Sequence, residues 1–334
     1  MPLVEPSPQE PPTPDPRFDA PVPDGGYAWW YVDAVSDDGR ESLTVIGFVG
    51  SVFSPYYSAA RRRGPADPND HCAINVGLYG ATANRWAMTE RPREQVARSA
   101  RRLEIGPSAM DFDGRSLLIS IDEWTAPFPG RIRGTIHLRP SALVSHTVPL
   151  DAAGRHVWTP YAPCARVEVE LEQPRLRWSG NGYFDGNAGA EPIEAAFARW
   201  TWSRADLGDG AAVLYDAARR DQSRLTFGLR FAPDGAISRF DPPPVESLPR
   251  SGWRIGRATP TDPGTQAGVV RTLIDAPFYA RSLIRSSVLG REATSVHESL
   301  CLDRFSSRIV QAMLPFRMPR AWRGARRRVA QSRP

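Results

Sequence analysis

The chain contains no lysine: all 42 of its basic side chains are arginine, a bias that reflects the base composition of the source genome more than function. Cysteine is scarce too. Cys72, Cys164 and Cys301 are odd in number, widely spaced and free of any CxxC or Cys/His ligand spacing. A disulfide framework or zinc site therefore has little support, and each thiol is most simply a small buried hydrophobe. No run approaches the eighteen or so apolar residues that a spanning helix needs, which argues against an integral membrane protein. The N-terminus, Met1 to Glu5 and the proline-rich stretch behind it, lacks the basic and apolar regions of a secretory signal. A cytoplasmic location is the default expectation.

What is present is ordinary in amount and unusual in arrangement. The hydrophobic share of 41% suits a folded core, and 334 residues suit two domains or one enlarged barrel. The net charge of +5 is modest and local, gathered at Arg61–Arg63 and in the tail at Arg323–Arg328. Such clusters raise the question of nucleic acid. With no helix-turn-helix or RNP-like motif beside them, no nucleic-acid partner is expected.

Residues 1–24 hold nine prolines and few apolar side chains, and read as a disordered segment. From Tyr27 the pattern is strand, turn, strand. Trp29, Tyr31 and Asp33 alternate with Trp30 and Val32, Asp37-Asp38-Gly39 makes a turn, and a branched apolar strand follows from Ser42. Similar units recur at short intervals to about Phe231, with turns at Asp113-Gly114, Asp209-Gly210 and Asp234-Gly235. This rhythm predicts an all-β protein, an antiparallel barrel or sandwich with few helices. Arg93–Arg102 is a candidate short helix. A second begins near Asp303, with Phe305, Ile309, Val310, Met313 and Phe316 among arginines and an interruption at Pro315. It either docks on the barrel or lies on an anionic membrane surface.

One stretch carries chemistry. Gly180-Asn181-Gly182-Tyr183-Phe184-Asp185-Gly186-Asn187 sets a single carboxylate among glycines and aromatics, with no lysine or metal cluster to keep it ionised. On composition alone it is a turn, its Asp bonded to local backbone. Read as a strand, it sends Tyr183 and Asp185 to one face; Trp200 and Trp202 pair in the same way, as do His156 and Trp158. An acid among aromatic faces suits a reaction that starts with proton transfer and passes through a cation.

Several longer segments now converge. Gly26–Ala34, Phe48–Tyr57, His71–Val76, His156–Pro160, Ala165–Val169, Gly180–Asn187, Pro192–Glu194 and Arg199–Arg204 together resemble the carotenoid 1,2-hydratases, also called hydroxyneurosporene synthases. The likeness covers roughly residues 25 to 300. It implies a lipocalin-like β fold, no organic cofactor, no metal, and hydration of the terminal 1,2 double bond of acyclic carotenoids such as neurosporene and lycopene. The family's essential acid falls on Asp185, and its functional His, Trp and Tyr fall on His156, Trp158 and Tyr183.

On this reading His156 bonds Asp185 or takes a proton from water, Tyr183 orients the water, and Trp158, Trp200 and Trp202 face the cation. Trp29 and Tyr31 join Trp200 and Trp202 as expected substrate-binding residues. Asp33, Asp37 and Asp38 read as turn or rim residues, with Asp33 in reach of the pocket. Glu168 and Glu194 are expected to pair with Arg166, Arg199 or Arg204 inside the barrel. Two lipocalin-like β domains, at 25–165 and 166–302, are followed by a basic amphipathic tail at 303–334. A substrate dissolved in lipid implies peripheral contact with membrane. The competing class is a non-catalytic lipocalin-like carrier of carotenoids or other apolar ligands, which needs the pocket but not the acid.

Overall fold

The computed structural model describes residues 15–321. The first hairpin joins β1 (Tyr27–Ser36) to β2 (Glu41–Val49). Gly39 takes φ +69° in its turn, a conformation that only a residue without Cβ adopts freely. Helix α1 (Pro55–Arg61) follows, and the Ser54 side chain caps it by accepting from the Tyr56 and Tyr57 amides. Next come β3 (Cys72–Gly80), β4 (Asn84–Arg91), β5 (Val96–Arg98), β6 (Arg102–Ile105), β7 (Ser108–Phe112), β8 (Leu117–Trp124) and β9 (Arg131–Pro140). The short β10 (Val148–Pro149) precedes two long strands, β11 (His156–Gln173) and β12 (Leu176–Gly189).

These strands form one twelve-stranded antiparallel sheet in the order β4-β3-β2-β1-β12-β11-β9-β8-β7-β6-β5, with β10 beside the start of β11. The sheet curls until β4 approaches β8, where the buried Arg91 donates to Glu123 at 2.7 Å. A second sheet follows the short helix α2 (Ile193–Ala196). Its sequence is β13 (Phe197–Asp206), β14 (Ala211–Arg219), β15 (Arg224–Phe231), β16 (Ile237–Phe240), β17 (Val245–Leu248), β18 (Arg257–Pro260), β19 (Gly268–Asp275), β20 (Tyr279–Val288) and β21 (Arg291–Cys301). Seven of these pair as β16-β15-β14-β13-β21-β20-β19, and β17 pairs with β18 alone. The fold is therefore all-β and lipocalin-like in kind.

Period-2 alternation divides β1 and β12 between two cores. Trp30, Val32 and Ala34 pack inside the first barrel with Val45, Val76, Val167 and Phe184. Tyr31 and Tyr183 face the other way, into a cluster that draws Trp158, Trp200, Trp202 and Tyr215 from both sheets. Strands with both faces covered read as continuous apolar runs, and β2 is buried at every one of its positions. Each large apolar side chain buried in this way contributes roughly 1.5–3 kcal/mol.

Some expectations need correction. The glycine-rich stretch 180–187 is the interior of β12, not a turn. Its even-numbered glycines admit close neighbours: a Cβ on Gly182 would lie 2.2 Å from Val167 Cγ2, and one on Gly186 2.8 Å from the Tyr161 ring. Arg93–Arg102 is a 3₁₀ turn at Arg93–Gln95 followed by β5, whose Val96 and Arg98 pair with Ile105 and Leu103 of β6 instead of continuing a helix. The boundary at 165/166 falls inside β11, and the change of sheet comes between Gly189 and Phe197. Phe18, within the segment read as disordered, is fully buried edge-on against Trp30 at 5.0 Å; residues 1–14 lie outside the described residues.

The C-terminal segment is docked as α3 (Leu302–Phe305), α4 (Arg308–Met313) and a 3₁₀ turn, Leu314–Phe316. Phe305, Val310, Leu314 and Met318 are buried, while Ile309 and Phe316 are each 74% exposed. The helical run breaks at Ser306-Ser307, before Pro315. The arginine-rich end beyond residue 321 lies outside the described residues.

Candidate active site

Asp185 sits on the face of β12 that looks toward the second sheet, and it is 3% exposed. Its neighbours follow from register. Tyr183 is two residues away on the same face, and its hydroxyl donates to Asp185 Oδ2 at 2.7 Å. Trp158 on β11 lies opposite Asn187, and its indole N–H donates to the same Oδ2 at 2.7 Å. The other oxygen, Oδ1, is buried without a hydrogen-bond partner among the described residues. Burial pushes the carboxyl up to about 8; the Trp158 and Tyr183 bonds oppose that rise, and the Glu298 and Asp33 carboxylates add to it. At neutral pH Asp185 is an acid. With Oδ2 accepting two bonds, the proton belongs on Oδ1.

Asp185 lines a narrow chamber of about 60 Å³ between the sheets. Trp29, Tyr31, Trp200 and Trp202 line it as well, so all four expected substrate-binding residues meet the acid. A wider apolar chamber of about 420 Å³ adjoins it, sharing Ile46, Phe48, Phe53, Tyr279 and Arg281 in its wall. The wider chamber reaches the C-terminal segment at Met313, Leu314, Phe316 and Met318.

The other expected residues divide. Trp158 and Tyr183 hold Asp185 from behind and do not line the chamber, which replaces their expected roles facing the cation or the water. His156 is fully buried, but its ring meets the Tyr27 hydroxyl at 2.8 Å and the Glu191 carboxylate at 3.4 Å, not Asp185. Burial lowers its pKa, against the pull of Glu191 and Asp151. Tyr27 in turn stacks on Trp29 at 5.0 Å, so His156 reaches the chamber wall through two rings.

Two buried ion pairs flank the site, one of them, Arg281 with Glu298, beyond the sequence reading. Asp33 is buried, accepting from Tyr31 at 3.0 Å and from Arg204 Nε at 3.1 Å. Arg281 lines the chamber, bonded to Glu298 and lying over the Tyr31 ring at 5.4 Å. Arg281 and Glu298 stand on β20 and β21, strands that the sequence rhythm did not reach; the turn between them, with Gly290 at φ +76°, is the signal that marks them. The expected barrel-interior pairs do not form. Glu168 bonds Arg139 of the neighbouring strand β9 at the surface, and Glu194 bonds Arg61 of α1. Asp37 pairs with Arg166 at the exposed turn. Among the described residues no group of three His, Cys, Asp or Glu side chains could hold a metal ion, and no helix is long and apolar enough to cross a membrane.

Comparison with known proteins gives a consistent result. The family model described as "Carotenoid hydratase CrtC" matches residues 45–327. The acyclic carotenoid 1,2-hydratase of Thiocapsa roseopersicina is 54% identical over 306 residues, covering 91% of this chain and 76% of that protein. The enzyme of the same name from Rubrivivax gelatinosus is 52% identical over 310 residues, with the same coverage. An AttH-type protein of Nitrosomonas europaea shares the fold, with a TM-score of 0.55 at 14% identity over 82% of this chain and 92% of that one.

Proposed function

The chain belongs to the carotenoid hydratase family, and from that premise we propose that it adds water across the terminal C1=C2 double bond of an acyclic carotenoid such as neurosporene or lycopene, giving the tertiary 1-hydroxy product. The class is hydro-lyase. The observation that carries the mechanism is the unpartnered Oδ1 of a buried, neutral Asp185 in the wall of an aromatic chamber.

An isolated trisubstituted alkene is too weak a base for water alone to add. Asp185 Oδ1–H gives its proton to C2, the π electrons form the C2–H bond, and a tertiary cation is left at C1. Water attacks C1, and loss of a proton from the bound water leaves the alcohol. Trp29, Tyr31, Trp200 and Trp202 face the cation, each worth roughly 0.5–2 kcal/mol. Those sums are small beside a barrier reduction of about 8 kcal/mol or more. Proton delivery by an acid poised near working pH therefore supplies the larger share, and the rings confine the cation. Trp158 and Tyr183 are positioning residues for Asp185, and His156 is one for Tyr27 and Trp29.

The substrate resides in lipid, so the wider chamber must open toward a membrane. Phe316 and Arg317 line that chamber, and the exposed Ile309 and Arg308 precede them on α4; this arrangement supports peripheral contact with lipid.

The test is incubation of the purified protein with lycopene in lipid, in ¹⁸O-labelled water, followed by mass spectrometry. Label in the product hydroxyl, lost with Asp185→Asn, is the expected result. Tight pigment binding without labelled product, with neurosporene as well as lycopene, would overturn the enzyme reading in favour of a carrier.

A further inference from the structure

Hydration needs two proton transfers, and Asp185 accounts for the first. Its chamber holds one other carboxylate, Glu298 on β21. Arg281 donates to Glu298 twice, through Nε at 3.0 Å and Nη2 at 2.6 Å, and both bonds fall on Oε1. Oε2 is left outside that pair, and the Tyr279 hydroxyl lies beside the carboxylate. Arg281 itself is fully buried between the Tyr31 and Tyr279 rings. A lone buried guanidinium beside a developing cation would oppose the reaction, and Glu298 cancels that charge.

A donor for water stands in the same wall. Asn187 follows Asp185 by two residues on the same face of β12 and lines the chamber; its buried Nδ2 lies beside the Tyr215 hydroxyl but meets no acceptor in hydrogen-bond geometry among the described residues. An N–H that holds the water oxygen and a carboxylate that receives its proton are the two groups a nucleophilic water needs.

We propose that Glu298 is the general base of the hydration: it takes the proton from the water that attacks C1, while the Asn187 amide holds that water. The inference rests on the hydratase reading above. Asp185 Oδ1–H breaks as C2–H forms; the water O–C1 bond forms as one water O–H breaks, and that proton passes to Glu298. Glu298 then returns it through solvent to the Asp185 carboxylate, so the cycle consumes one alkene and one water. The two carboxyls differ in their partners: Asp185 accepts from Trp158 and Tyr183, and Glu298 from Arg281.

The experiment compares wild type, Glu298→Gln and Asp185→Asn on lycopene in D₂O, scoring deuterium in recovered lycopene against hydrated product. Without its base, Glu298→Gln still forms the cation, which gives a proton back to the Asp185 carboxylate instead of capturing water. Hydration is expected to fall on the order of 10²–10³-fold, while deuterium accumulates at C2 of the recovered substrate. Asp185→Asn is expected to lose both.

Hydration within about tenfold of wild type in a natively folded Glu298→Gln, or equal loss of exchange and hydration, would overturn the role. Should Glu298→Gln not fold, Glu298→Asp keeps the charge; it is expected to hydrate slowly with a raised exchange ratio, and a wild-type ratio would refute the proposal. A wild-type protein that neither exchanges nor hydrates removes the hydratase premise itself, and the Glu298 role with it.

Discussion

The indole N–H of Trp158 reaches across from β11 to Asp185 Oδ2 on β12 at 2.7 Å, and the Tyr183 hydroxyl joins it at the same distance. Both donors favour the carboxylate, so both make Asp185 a stronger acid than its burial alone would allow. They also fix which oxygen carries the proton. Removing one donor weakens the acid and lets the carboxyl rotate.

Trp158→Phe is therefore expected to lower kcat by on the order of tenfold to a hundredfold, the equivalent of about 1.5–3 kcal/mol for a hydrogen bond to a charged group. The high-pH limb of the rate profile should move upward, because Asp185 loses a bond that stabilised its ionised form. A pH–rate profile checks this. A fall in kcat with an unmoved limb would assign Trp158 to packing.

Asp185 also leaves a mark on stability. Its ordinary value is 3.8, and in the folded protein burial raises it to about 8. Between those values the unfolded chain binds fewer protons than the folded one, so this group's contribution to stability falls as pH rises, fully lost above about 8. Activity that needs the acid form declines through the same upper limit. Urea midpoints measured across this range should show a negative slope that Asp185→Asn flattens, with the variant the more stable protein at the alkaline end.

Arg204 and Asp33 form an ion pair buried on both sides, 4% and 2% exposed at their side chains. Arg204→Met leaves the Asp33 charge without its partner and is expected to cost about 3–5 kcal/mol. Adding Asp33→Asn should recover much of that loss. Denaturant unfolding of the single and double variants decides the matter, and additive losses would show that the pair is not coupled.

The exposed Ile309 and Phe316 predict a surface effect. Ile309→Ser with Phe316→Ser is expected to reduce flotation with anionic liposomes and to raise KM for lycopene in vesicles, leaving kcat at saturation near wild type. Unchanged flotation would count against this rim as the membrane contact.

Alternation and turn residues determined much of the architecture. The Tyr27 hairpin, the meander through Asp113-Gly114 and the strand around Trp200-Thr201-Trp202 are local consequences of period-2 patterning, and the structure has them. The same period set Tyr183 and Asp185 on one face, so the heart of the site was legible. Glycines misled where they stood in for a turn, since close approach of Val167 and Tyr161 inside the barrel is a contact across strands that composition does not record.

Only the tertiary structure decided the partners. His156 and Asp185 are four pairs apart along β11 and β12, and the ring turns to Tyr27 instead. Asp33 meets Arg204 across 171 residues, and Glu298 enters the Asp185 chamber from the last strand of the second sheet. Local pattern fixes which face a side chain takes. Which charge it meets there depends on how two sheets pack, and that is set by the burial of both their faces together.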